Sequence, residues 1–194
     1  MNHLVIYAHP NPASFNHAIL EAYTRELAAA GHEVRIRDLY ATGFNPVILQ
    51  SDYDMINRGT PPEDIRQEQD HIRWAGVMTF IFPVFWAGMP AMLKGYIEKV
   101  FSLGFAYVFE GDRPRGILKG RKVVIISTTG GALNYYRKSN MLDNIRQTIV
   151  GAVFRFCGFQ VVEHKFFVGV PMATPAERSI MLEEARAIAR SLPS

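Results

Sequence analysis

Apolar residues along this chain fall into two patterns. Short runs at residues 3–8 (HLVIYA), 76–82 (GVMTFIF) and 122–127 (KVVIIS) are continuous, β-branched or aromatic, and of strand length. Such runs predict strands covered on both faces. Residues 33–39 (EVRIRDL) alternate instead, with Val34 and Ile36 on one side and charges on the other, as in a strand nearer a sheet edge. Residues 159–168 read as the last strand. Between the strands, Phe15, Ala18, Ile19, Ala22, Tyr23 and Leu27 recur at helical spacing, with Ser14 placed to cap the helix and Gly31 to stop it. Residues 61–74 predict a polar helix that makes contact through Ile65, Ile72 and Trp74. Met92, Leu93, Tyr96, Ile97, Val100 and Phe101 predict a helix with a wide apolar face behind Pro90, a proline placed for a first turn. A further helix spans 141–156, and Thr174-Pro175-Ala176-Glu177 forms a capping box that opens a final one to about Ser191. Residues 40–60 read as an excursion with one short helical piece, and 105–119 as an irregular connection.

Five strands alternating with helices, right-handed crossovers and no internal repeat give one economical arrangement. It is a single α/β domain over residues 1–194, a doubly wound five-stranded parallel sheet of flavodoxin-like order 2-1-3-4-5 with helices on both faces. That order changes direction between strands 1 and 3, so the loops after strands 1, 3 and 4 converge on one crevice.

Composition narrows the field. Of 194 residues, 48% are hydrophobic and 20% charged, which is globular, and no run reaches the length of a membrane span. No export signal is visible at the N-terminus, and the lone Cys157 sits in an apolar context, so a cytoplasmic protein is expected. A net charge of +3 without basic clusters excludes a nucleic-acid footprint. No metal-ligand spacing stands out.

The three converging loops carry the chemistry. The first, residues 9–16 (HPNPASFN), brings Ser14 and Asn16 to a helix N-terminus, the place for a phosphate; Ser14 would cap the helix in any case. It holds neither G-x-x-x-x-G-K-[ST] nor G-x-G-x-x-G, which argues against a nucleotide-hydrolysing loop or a dinucleotide Rossmann site. The second, Val84-Phe85-Trp86-Ala87-Gly88, has no polar side chain. It is either a hydrophobic plug under the next helix or the wall of a flat ligand. The third, Thr128-Thr129-Gly130-Gly131, lets backbone N–H groups approach a planar ring. Phosphate site, flat wall and backbone donors together describe a flavin site.

These motifs resemble the NAD(P)H:quinone oxidoreductases of the flavodoxin-like fold, including their short bacterial members. The resemblance is carried by AHPNPASFN (8–16), DLYATGFNP (38–46), FPVFWAGMPAMLKGYIEKVF (82–101), FAY (105–107), TTGG (128–131), FCGF (156–159) and TPAER (174–178). It implies that His9, Ser14, Phe15, Asn16 and Ala18 surround the flavin phosphate and ribityl chain. Pro83, Val84, Phe85 and Trp86 would bracket the isoalloxazine, and Thr128, Thr129, Gly130 and Gly131 would meet its N1 and O2 edge. Tyr107 would stand at the mouth of the substrate pocket and Tyr136, or Tyr135 beside it, near the flavin carbonyls. Glu98 and Arg178 fall near positions that touch the adenosine half of FAD, which favours FAD over FMN. The resemblance also implies NADPH or NADH as hydride donor, a quinone acceptor in a ping-pong sequence, and a homodimer with the pocket at the subunit boundary. The sequence departs from the larger members at Ala13, where they often carry threonine, and at Phe109, where they have a second pocket tyrosine. No relay histidine follows Tyr136, and the C-terminal extension of the larger members is missing after the last helix. Two other roles share the fold: a flavodoxin-type electron carrier, which the mildly basic charge disfavours, and an accessory subunit docked on a membrane transporter.

Overall fold

The computed structural model describes residues 1–193. Its centre is a five-stranded parallel sheet. In chain order the strands are β1 (Asn2–Tyr7), β2 (Glu33–Asp38), β3 (Val77–Pro83), β6 (Lys122–Thr128) and β7 (Gln160–Phe167), laid side by side as β2-β1-β3-β6-β7. This is the expected order 2-1-3-4-5. The register Val5↔Ile36, Val5↔Thr79, Thr79↔Val124 carries it across the sheet, with an irregularity between Val123 and Val124 against β7.

Helices cover both faces because side chains alternate along each strand. Leu4, Ile6, Met78, Phe80, Phe82, Val123 and Ile125 point to one face, against α3 (Glu63–Trp74), α4 (Ala91–Val100) and the helical stretch α6 (Met141–Arg146) continued by a π-helical segment Gln147–Arg155. Val5, Tyr7, Ile81, Val124 and Ile126 point to the other, against α1 (Phe15–Ala29) and α7 (Pro175–Arg190). The central strands are buried almost end to end, which is the physical origin of their continuous apolar runs, whereas the edge strand β2 buries no residue fully: Val34 is half-buried, and Ile36, expected on the same covered side, is exposed. The one polar side chain inside β3, Thr79, meets the buried Tyr23 hydroxyl of α1 at 2.9 Å.

Three elements differ from the sequence reading. Residues 105–119 contain an antiparallel hairpin, β4 (Tyr107–Glu110) and β5 (Arg113–Gly116), closed at Gly111, whose φ of 66° supplies the left-handed residue a tight turn requires. Its polar second strand (RPRG) concealed it. A short helix α5 (Leu133–Ser139) follows the TTGG loop; it buries no residue and so leaves no amphipathic trace. Pro90 precedes the first residue of α4 as its cap instead of lying in the first turn, and the helical piece foreseen in 40–60 is α2 (Gln50–Asn57). Gly95 of α4 is where the excursion crosses closely: a Cβ there would lie 2.2 Å from the Pro46 carbonyl oxygen. No described helix is long and apolar enough to cross a membrane.

Candidate functional site

At the carboxyl edge of β1, β3 and β6 the structure opens a cleft of about 300 Å³ lined by His9, Ser14, Phe15, Asn16, Pro83, Val84, Phe85, Thr128, Thr129 and Gly130. The three loops singled out in the sequence therefore meet. Ser14 caps α1, its Oγ accepting the His17 N–H at 3.2 Å, and the Tyr7 phenol lies 3.2 Å from the same oxygen. Capping engages the His17 and Ala18 amides, since both also donate to the Ser14 carbonyl. Phe15 and Asn16, the first two helical residues, have no intrahelical acceptor for their N–H groups, which leaves them for an anion at the positive helix end. Ala18 belongs to this turn but does not reach the cleft wall.

His9 is held by its neighbour: the Asn11 N–H donates to its Nδ1 at 3.0 Å. Burial lowers its pKa, so near neutrality the ring is uncharged, and a neutral ring that accepts at Nδ1 carries its proton on Nε2. Asn16 is buried, and its Nδ2 donates to Thr128 Oγ1 at 2.8 Å. Asn16 Oδ1 and Thr129 Oγ1, both buried, have no protein partner. Such atoms are uncommon in folded proteins, and at a cleft wall a bound group or an ordered water would satisfy them. No carboxylate lines the cleft.

In the TTGG loop, Thr128 accepts the Val84 N–H at 2.7 Å, and Thr129 both donates to Phe167 at 2.9 Å and accepts from Val170 at 3.1 Å. These bonds fix the loop while the N–H groups of Gly130 and Gly131 reach no backbone carbonyl among the described residues. A Cβ on Gly130 would point into open space, whereas one on Gly131 would lie 3.0 Å from the Tyr136 ring. Tyr136 therefore packs over Gly131.

The aromatic loop divides between the two readings: Val84 packs against the core, and Trp86 does not. Phe85 and Gly88 exchange backbone hydrogen bonds at 3.0 Å, and between them Trp86 and Ala87 are both left-handed, at φ 48° and 60°. Trp86 is 103% exposed, so it plugs nothing. It lines a second cavity of about 360 Å³ with Val84, Ala87, Tyr135, Tyr136 and Met141. Non-glycine residues in this region cost roughly 1–3 kcal/mol each and concentrate at ligand sites.

Other expected residues lie elsewhere. Tyr107 sits on the hairpin among Phe109 (5.9 Å) and Phe156 (5.5 Å) and lines neither cavity. Glu98 pairs with Lys94 on the exposed face of α4, also outside the cleft. Arg178 is at the rim: Nη2 donates to the Val170 carbonyl at 3.1 Å, the guanidinium lies 5.9 Å from the Phe15 ring, and Nε is buried without a partner. Val170 and Pro171, which complete the cleft wall, were not foreseen. They follow β7, and every strand of a parallel sheet ends on the same edge, which was the available signal. Cys157 is buried, with its pKa pushed up to about 12, and behaves as the inert apolar residue its context implied.

The residues present accept a flavin: orphaned acceptors, free helix N–H groups and an aromatic second cavity that shares Val84 with the first. The family model described as flavodoxin-like fold matches residues 1–191, and the chain belongs to that family. A protein of Haemophilus influenzae named as an uncharacterized NAD(P)H oxidoreductase is 36% identical over 186 residues, covering 95% of this chain and 92% of its own. NAD(P)H dehydrogenase (quinone) 1 of Cavia porcellus is 35% identical over 199 residues, covering 92% of this chain and 72% of its own. Among solved structures, NAD(P)H:quinone oxidoreductase from Methanothermobacter marburgensis superposes with a TM-score of 0.90 at 29% identity, over 100% of this chain and 99% of that one.

Proposed function

We propose that this protein is a flavin-dependent NAD(P)H:quinone oxidoreductase, working as one flavin-binding domain in the cytoplasm. The observation that carries the reading is the pair of buried acceptors, Asn16 Oδ1 and Thr129 Oγ1, orphaned in a cleft with free helix N–H groups and no carboxylate. The names of the relatives supply the reaction class.

His9, Ser14, Phe15 and Asn16 would hold the phosphate and ribityl chain, using the two free amides of α1 and the His9 Nε2–H. Pro83, Val84, Phe85 and Trp86 would flank the ring, and Thr128, Thr129, Gly130 and Gly131 would turn their donors to its N1 and O2 edge. A flavin held there would supply two-electron chemistry, accepting a hydride from NAD(P)H and passing the electrons to a quinone in a ping-pong sequence. Fixed backbone donors at Gly130 and Gly131 stabilise negative charge there without reorganising. The second cavity, lined by Trp86 and Tyr136, would receive nicotinamide and quinone in turn, and the Tyr136 hydroxyl would be the donor to an acceptor oxygen. Tyr107 would enter from the partner of a homodimer, since it lines no cavity of its own protomer.

FAD is the preferred tail because Arg178, at the rim, has a buried Nε without a partner; Glu98 lends no support. The test is direct. The purified protein should be yellow, and mass analysis of the extracted group should give FAD; FMN would correct the tail alone. Quinone-dependent oxidation of NAD(P)H should follow, and its absence in yellow protein would overturn the proposal.

A further inference from the structure

Tyr136 separates the second cavity from a neighbour. The same phenol lines a third, of about 300 Å³, together with Arg137, Asn140, Asp143 and Arg146. Three neighbouring cavities therefore share walls, the first and second at Val84 and the second and third at Tyr136. Their character changes along the way, from aromatic and apolar in the second to charged in the third.

The two guanidiniums of the third cavity are not equivalent. Arg146 is committed: Nη1 bonds Asp143 Oδ1 at 2.8 Å, and the group lies 5.3 Å from the Phe166 ring centroid. Arg137 meets no carboxylate within ion-pair distance among the described residues, and α5, which carries it, contains no acidic residue. A last-turn arginine complements the negative helix end, but that role does not require a cavity wall. Asn140, left-handed at φ 53°, turns the chain between α5 and α6 and adds an amide to the same wall. An aromatic chamber adjoining an uncompensated guanidinium suits a molecule that is flat at one end and anionic further along.

We propose that the third cavity is the subsite for the diphosphate of the nicotinamide dinucleotide, with Arg137 as its anchor. This rests on the oxidoreductase reading above, in which the nicotinamide ring occupies the second cavity. Arginine matches the geometry because its fork donates to two phosphate oxygens at once. The Asn140 amide is a further donor. Asp143, the one acid on the wall, is already neutralised by Arg146, so the subsite presents net positive charge to the ligand. Donors bearing the diphosphate are thereby favoured over one that ends at the ribose.

Lys138 provides the control. It is the next residue, has the same charge, and does not line the cavity. KM and kcat should be measured with NADH, NADPH and dihydronicotinamide riboside for the wild type, R137E, R137Q and K138E, alongside calorimetric binding of ADP-ribose to the protein as purified. We expect R137E to raise KM for both dinucleotides about tenfold and to weaken ADP-ribose equally, the scale of one lost charge-assisted contact. R137Q should show a smaller rise. The riboside KM, kcat and thermal midpoint should stay unchanged, and K138E should behave as wild type. An equal KM rise with the riboside, no change with any ligand, or an equal effect from K138E would each overturn the subsite. If the wild type reduces quinone with the riboside while R137E leaves dinucleotide KM untouched, the subsite fails and the oxidoreductase reading stands. If no nicotinamide donor is oxidised, both fall.

Discussion

Asn16 and Thr128, 112 residues apart, share a buried 2.8 Å hydrogen bond that ties the loop after β1 to the end of β6. With Nδ2 committed to Thr128, Asn16 keeps Oδ1 buried and without a protein partner. Thr128→Val removes the acceptor and leaves the amide free to rotate, costing about 1–3 kcal/mol. The thermal midpoint should fall by a few degrees, about 2–4 °C per kcal/mol for a chain of this size, and flavin content with it. Thr128→Ser should restore both. Loss of stability with full flavin retention would remove Asn16 from the binding site.

Gly130 separates binding from folding. A Cβ there meets no protein atom within 4 Å, so Gly130→Val should keep the melting profile of the flavin-free protein while losing flavin retention. Gly131→Val is less clean, because its side chain would push the Tyr136 ring aside. Full flavin content in Gly130→Val protein would refute the placement of the ring edge.

Trp86→Ala should weaken flavin binding by about 0.5–1.5 kcal/mol, the stacking increment of one aromatic, and leave the flavin-free melting temperature unchanged. The second expectation follows from full exposure and left-handed backbone: the side chain contributes no core contact. Equal destabilisation with and without flavin, read by calorimetry, would contradict it.

Two histidines predict the response to acid. His3, buried against His32 at 4.5 Å with both ring nitrogens unpartnered, is lowered to about 4 by burial and by the charge of His32. His164 is lowered to about 3 by burial and by Arg146. In the unfolded chain both titrate near 6.5. Below that value the unfolded state binds more protons, so stability is complete above pH 6.5 and declines as pH falls toward 4 and 3. His3→Phe should flatten this decline between pH 6.5 and 4. Urea midpoints that fall in parallel for variant and wild type would rule His3 out as a contributor.

Tyr136→Phe should slow reoxidation by quinone by no more than about one order of magnitude, roughly 1.4 kcal/mol, and hardly affect reduction by NAD(P)H. Tyr107→Phe should behave alike if it serves the partner's cavity, and lose its effect in a monomeric variant. Stopped-flow measurement of each half-reaction decides the matter: slowing confined to the NAD(P)H step would reverse the assignment.

The sheet and the meeting of three loops were legible because burial on two faces writes continuous apolar runs, and one topology places their ends together. Val170 and Pro171 were missed because their loop carries no polar or aromatic signature. The β4/β5 hairpin and α5 were missed for a shared reason. Neither RPRG nor LNYYRKS hides one face from water, so no periodicity records them. Arg137 could not be singled out, since an arginine beside a lysine in a polar stretch looks like any solvated charge. Tyr107 matched its motif, yet it lines neither cavity, so its place at a substrate pocket rests on the proposed homodimer.

The Thr79–Tyr23 pair bears on how the central strand finds its neighbours. β3 is apolar and buried on both sides, so hydrophobicity alone tolerates a slip of one residue as readily as the native pairing. Such a slip would carry Thr79 to the opposite face and leave two hydroxyls dry and unmatched, at about 1–3 kcal/mol each. One threonine thus acts as a key that admits a single alignment, and Thr79→Val would free the strand to sample wrong ones during assembly.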